Sequence, residues 1–295
     1  MDRLLPDRLV GWFTKAVALS SLCILALIAV GLIAKSGQIL SMKSLPELLL
    51  SSDWRPSKGE FGFYPYITGT FIVTFSAMVL SVPLCLMGAI YMSEYAGAAV
   101  RSVVKEGMDT LAGIPSVVFG LWGVLFIVPL VRDVVAPAFG VETSGYCILS
   151  GAAVLAIMVV PIMLSIMEDV ILSVPQDLKE ASFALGATRW QTMKHVVVPR
   201  TLHGLVSAVI LGFSRAFGET MAVLMVVGNV AVHAKSVFDP AYPLSALIAN
   251  NYGEMLSIPL YDSALMFSAL ILFVVVVVFN VIASMFLQKM KAGEC

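Results

Sequence analysis

The sequence predicts an all-α, six-span membrane protein, and three observations carry that expectation. Apolar residues make up 59% of the 295 positions and charged residues only 13%, with a mean hydropathy of +0.96. A soluble domain holds about 45–50% apolar and about 25% charged residues. Six apolar runs each reach the length of about 20 residues that a spanning helix needs. The runs are also too long for strands of about 4–8 residues, and an open sheet edge has no place in lipid.

The first run, Trp12 to Ile33, has basic flanks at Arg3, Arg8 and Lys15. It exceeds a secretory h-region and no small-x-small cleavage site follows, so it is expected to remain as a first span. An outer connection, Ala34 to Tyr66, leads to the second run, Ile67 to Tyr91. Thr70, Thr74 and Ser81 recur on one face there and offer hydroxyls to a polar path or to their own backbone. The third run, Met108 to Val131, follows an inner connection, Met92 to Gly107. Arg132 to Tyr146 then leads outside to the fourth run, Cys147 to Val170, whose inner end carries Glu168 and Asp169, expected as solvated charges. Pro83, Pro115 and Pro161 fall inside spans and are expected to kink them.

The inner connection Ile171 to Thr201, "ILSVPQDLKEASFALGATRWQTMKHVVVPRT", is dense in helix punctuation. Ser173 with Gln176 fits a capping box and Pro175 a first turn; Gly186 suits a left-handed stop; Thr188 with Gln191 makes a second box. Pro199 is expected to end the second short helix. Two short helices form a cytoplasmic knob whose Ala181, Phe183, Ala184, Leu185 and Trp190 are apolar for such a loop, the mark of a docking surface.

The fifth run, Leu202 to Val227, contains "SRAFGETMAVL". Arg215 lies 13 residues from one end and 12 from the other, roughly 20 Å of helix either way, too deep for easy snorkelling. An arginine at a span centre costs about 2.5–3.5 kcal/mol on insertion scales, so charge there more often marks a substrate path than a structural pair. Glu219, four residues on, is expected on the same face within pairing reach. The guanidinium fork suits a phosphate or similar oxyanion. Gly204, Ala208, Gly212 and Ala216 form a small-residue row for close helix contact. Beyond Gly228 to Asp262, where Leu244 to Asn251 reads as a short helix or re-entrant piece, the sixth run spans Ser263 to Leu287.

With the N-terminus inside, eleven Lys and Arg residues fall on the inner side and six on the outer, which places both termini in the cytoplasm. Cys23, Cys85, Cys147 and Cys295 show no CxxC spacing, and His195 and His203 lack a third ligand, so neither disulfides nor metal are expected. No GxxxxGK[ST] loop occurs. ATP, if it drives the protein, is hydrolysed on another chain, and no catalytic constellation stands in the spans.

From Glu180 to Pro199 the chain resembles the EAA loop of ABC-importer permeases: Glu180, Ala181, Gly186, Val196, Val198 and Pro199 fill its places, with Ser182 for the usual third-position alanine. The segments "LAGIPSVVFGLWG", "SRAFGETMAVLMVVGN", "NVAVHAKSVFDP" and "ANNYGEM" are similar to the PstC branch of phosphate permeases. Met221 and Ala222 after Gly218, Glu219 and Thr220 set it apart from the PstA branch, where Ala-Pro is usual. The resemblance implies a type I (MetI-like) importer bundle in a bacterial inner membrane, without bound cofactor. It implies a PstA-like sister permease, a PstB-like ATPase dimer holding ATP and Mg, and a periplasmic PstS-like phosphate-binding protein. No nucleic-acid partner is expected. Arg215 and Glu219 match the family's charged pathway positions; Thr220, Thr70 and Thr74 are further candidates, and Glu180, Ala181, Gly186 and Pro199 would serve ATPase coupling. The first 60 residues carry no part of the resemblance. A sulfate or molybdate permease and an ion-coupled anion carrier using Glu219 are the competing expectations.

Overall fold

A computed structural model of the chain describes residues 4–253 and 259–292; Arg3, Cys295 and the Glu254–Met255 end of the "ANNYGEM" segment lie outside them. Six helices among the described residues are long and apolar enough to cross a membrane. They belong to α1 (Leu4–Met42), α3 (Tyr64–Glu94), α5 (Ser116–Ala138), α6 (Ile148–Leu172), α8 (Arg189–Gly218) and α11 (Pro259–Ala292). The all-α expectation holds: the described strands are β1 (Trp54–Arg55) and β2 (Glu60–Phe61), one small antiparallel hairpin.

α6 is the hub. Two thirds (67%) of its apolar window is buried, against none for α1, so the bundle is built around the fourth span and the first lies outside it. No residue of α1 from Val10 to Lys35 is buried. Its outer end is pinned to α11: Ile39 N–H donates to Ser263 Oγ at 3.1 Å, which itself donates to the Lys35 carbonyl at 2.9 Å.

Proline sets several boundaries. The third span runs 116–138 rather than 108–131. Pro115 disfavours a helical residue before it, Ile114 is extended (ψ 131°), and the chain breaks into α4 (Ala98–Gly113) and α5. Pro115 therefore separates two helices instead of kinking one. Pro83 and Pro161 do lie inside continuous helices. Pro129, Pro137 and Pro199 each follow a π turn, at Gly123–Ile127, Val131–Val135 and Met193–Val197. Proline lacks an N–H and crowds the carbonyl four residues back; a widened turn absorbs both without ending the helix. Pro199 thus does not end the second inner helix, which is the lower end of α8.

The small-residue row of α8 faces inward. Ala208, Gly212 and Ala216 are buried, and a Cβ on Gly204 would come within 2.5 Å of Val170 on α6. Gly204→Leu should therefore wedge α8 from α6. A loss of about 1–3 kcal/mol is expected, the scale of overpacking, read as a lower thermal midpoint of the purified protein.

Outside the bundle, α2 (Leu45–Leu50), the hairpin and α10 (Leu244–Asn251) form a cap around Trp54, whose ring packs edge-on against Phe61, Phe63, Tyr66 and Tyr261. α10 keeps the bounds expected from sequence. At the inner end, Asp169 is exposed as expected but Glu168 is buried. Arg101 of α4 approaches Glu168 at 3.4 Å and donates to the Met92 and Ser93 carbonyls that close α3. Glu168 is a buried pair partner rather than a solvated charge, because α4 folds back under the bundle.

Candidate functional site

The fifth span is broken. α8 stops at Gly218, Glu219 is extended (φ −71°, ψ 127°), and a new short helix, α9 (Met221–Val226), follows. The single helix expected to Val227 does not form, and Arg215 and Glu219, within pairing reach on such a helix, do not pair along it. Among the described residues Arg215 has no ion-pair partner and is exposed; Glu219 is half-buried. Each charge instead meets a helix end of the opposite sign. Arg215 stands in the last turn of α8, where the dipole favours a cation. Glu219 Oε1 accepts from Ala222 N–H at 3.2 Å, in the first turn of α9. The Glu219 carbonyl accepts from Ser245 Oγ of α10 at 3.0 Å, and Thr220 Oγ1 donates to the Gly218 carbonyl at 3.3 Å.

A narrow cavity adjoins the break. Thr70 and Thr74 of α3, Ala216 and Phe217 of α8, Glu219, and Pro243 and Ser245 before and in α10 line it. Thr70 Oγ1 donates to the Tyr66 carbonyl at 2.8 Å and accepts from Leu244 N–H at 2.9 Å, so it anchors the start of α10. The centre of a water-sized sphere can sample only about 10 Å³ there, room for about one water and not for a tetrahedral oxyanion. The structure therefore gathers Thr70, Thr74 and Glu219 in one narrow pocket and leaves Arg215 and Thr220 out of it. Ser245 and Phe217 were invisible as partners in the sequence, since only the return of α10 against the break brings them there.

Arg215 lies on a different face. Ser207, Leu211, Arg215, Gly218 and Met221 are all exposed, beside the buried small-residue row. Phe213 and Phe217 pack on Phe75 and Phe71 of α3 at 5.1 and 5.6 Å. Phe71 lies seven residues into α3, so the break sits roughly 10 Å along that helix from its outer end, with Arg215 a few ångströms deeper, in the outer half of the span. The chain thus presents an arginine, unpaired among the described residues, on a bundle face at membrane depth. Such groups face protein or a water-filled cavity rather than lipid.

The second surface is the knob. α7 (Gln176–Ala184) ends in a Schellman turn: Gly186 N–H donates to the Phe183 carbonyl at 2.9 Å, Ala187 N–H to Ser182 at 3.2 Å, and Gly186 sits at φ +84°. Thr188 and Gln191 form the expected capping box at the start of α8. The Ser173–Gln176 box is absent; Ser173 Oγ donates back to the Val170 carbonyl and Pro175 takes the cap position. Ser182 and Thr192 hydroxyls meet at 2.9 Å and hold the two helices together. Leu185 at the tip is 90% exposed, flanked by exposed Leu178, Phe183 and Trp190. Glu180, Ala181 and Gly186 are exposed with them, whereas Pro199 lies further along α8.

The comparisons fit this geometry. Residues 85–292 match the family described as binding-protein-dependent transport system inner membrane component. The phosphate transport system permease protein PstC of Mesorhizobium japonicum is 35% identical, over 98% of this chain and 92% of its own. PstC of Haemophilus influenzae is 34% identical, over 95% and 93%. A bacterial alginate ABC transporter, crystallised with an alginate pentasaccharide-bound periplasmic protein, shares the fold with TM-score 0.66 and 14% identity, over 98% of each chain.

Proposed function

The chain belongs to the family of binding-protein-dependent transport system inner membrane components, and from that premise we propose that it is a permease subunit of an ATP-driven importer of inorganic phosphate. Membership makes it a multi-pass membrane subunit of an ABC transport system. The substrate rests on the phosphate permeases it resembles together with one observation: Arg215, exposed on a bundle face at membrane depth with no ion-pair partner among the described residues. A sister permease covers that face, and the guanidinium fork meets the phosphate oxygens in the space between them. Glu219 caps α9 and holds the break in place; Thr70 and Thr74 support it from α3.

The remaining assignments follow the charge and the knob. Both termini and the knob lie on the cytoplasmic side, where most of the Lys and Arg residues fall. Leu178, Phe183, Leu185 and Trp190 dock into a groove on an ATPase dimer, which holds the ATP and Mg. A periplasmic phosphate-binding protein delivers the substrate at the outer cap. α8 runs as one helix from the knob to the break, so a displacement of the knob during ATP hydrolysis reaches Arg215 directly.

Radiolabelled phosphate uptake tests the reading, in cells that lack their own high-affinity system and co-express this chain with its three partners. Uptake that depends on this chain and resists excess sulfate and molybdate is expected. Full competition by either anion would replace phosphate as the substrate and leave the subunit assignment intact. Uptake that persists without the ATPase would identify an ion-coupled carrier instead.

A further inference from the structure

Two of the elements that wall the narrow pocket, α3 and α8, both reach the knob at their inner ends. α8 does so covalently, through Thr188 and Arg189. α3 does so through a buried ion pair: the Lys179 ammonium of α7 bonds the carboxylate of Glu94, the last residue of α3. The two side chains are only 8% and 13% exposed. Lys179 is the one buried residue of α7, directly beside the exposed Glu180 and Ala181 of the docking surface. Arg101 holds the neighbouring Met92 and Ser93 carbonyls, so the inner end of α3 is already fixed in shape where Glu94 emerges.

We propose that the Lys179–Glu94 pair is the strut that makes α3 follow the knob, so that one displacement moves both pocket walls together. The inference rests on the reading of the knob as the ATPase-docking element. Separating the pair would leave two uncompensated buried charges, so within a working cycle α7 and α3 travel as one body. About twenty residues of helix, roughly 30 Å, carry that motion from Glu94 up to Thr74 and Thr70. α8 carries it in parallel to Ala216 and Phe217. Without the strut only one wall is driven, and ATP is hydrolysed without opening the path. Lys179 and Glu94 are thus positioning residues, remote from the substrate.

The test uses the complete complex in proteoliposomes, with binding protein and ATP, and reads phosphate carried per ATP hydrolysed. Lys179→Met and Glu94→Gln are each expected to lower that ratio about tenfold while hydrolysis continues, and the exchanged pair Lys179→Glu with Glu94→Lys to recover most of it. A ratio unchanged in both single variants, or an exchanged pair no better than either in fully assembled complex, overturns the strut. A second arm guards against variants that fail to assemble. Lys179→Cys with Glu94→Cys is placed in a chain whose four native cysteines are replaced, and the two thiols are joined by a short reducible cross-linker. The joined complex should regain coupling and lose it on reduction; a joined complex that is blocked, and freed by reduction, shows that the two helices must separate. Stimulation of hydrolysis by the binding protein is recorded alongside. If wild type hydrolyses ATP in response to the binding protein but carries no phosphate, the substrate reading fails, and the strut is judged by the same ratio for the anion, sulfate or molybdate, that wild type does carry.

Discussion

Arg215→Gln is expected to lower phosphate uptake about a hundredfold, the scale of losing one preorganised donor to an oxyanion, without loss of the folded subunit. The two halves of that expectation come from the same observation. Arg215 is exposed and makes no ion pair within the described chain, so its removal leaves no partner stranded. Stability should change by no more than about 0.5 kcal/mol, as for a surface position. The transport loss arises only where another subunit and the anion complete the site. Arg215→Lys keeps the charge but not the planar fork, and should fall between the two, about tenfold below wild type. Uptake normalised to complex in the membrane checks both variants. An Arg215→Gln complex that imports at the wild-type rate makes the arginine a helix-end charge and nothing more.

Gly186→Trp carries the second large effect, at the opposite end of α8. Gly186 sits at φ +84°, and a Cβ built there meets nothing within 4 Å. Within the chain, a substitution therefore faces only backbone strain of about 1–2 kcal/mol. Gly186→Ala isolates that strain and should leave the ATPase bound. Gly186→Trp adds an indole beside Leu185, on the tip proposed to dock, and should weaken co-purification of the ATPase and phosphate uptake about tenfold or more. Co-purification of the ATPase equal to wild type with the tryptophan in place would move the docking surface elsewhere.

Much of the architecture could be read from local chemistry. Six apolar runs announced the spans, Leu244 to Asn251 emerged as α10 with unchanged bounds, and Gly186 and Thr188 punctuate the knob as their types require. What local chemistry concealed was decided by contacts far away in sequence. "SRAFGETMAVL" has helical spacing throughout, so Arg215 and Glu219 look paired. Ser245, twenty-six residues on, accepts a role at the break by bonding the Glu219 carbonyl, and the ladder that would have paired them is interrupted. The answer to the two buried-looking charges is two helix ends meeting inside a membrane. Glu168 reads as a solvated terminus until Arg101, on a helix folded beneath the bundle, covers it. Pro199 reads as a stop until a π turn carries α8 through it. Lys179 has no distinguishing signal at all: one lysine among charged neighbours, buried only because Glu94 ends α3 beside it.

The central claim is that phosphate passes over the face of α8 that carries Arg215. Gly218 lies on that face at the break, exposed, and a Cβ there meets nothing within 4 Å, so a cysteine can stand beside Arg215 without disturbing it. The measurement is the rate at which a small water-soluble thiol reagent labels Gly218→Cys, in a complex freed of its other cysteines and turning over ATP with its binding protein. The account expects labelling that saturating phosphate slows about tenfold and that sulfate leaves unchanged. Labelling at one rate with and without phosphate would contradict it.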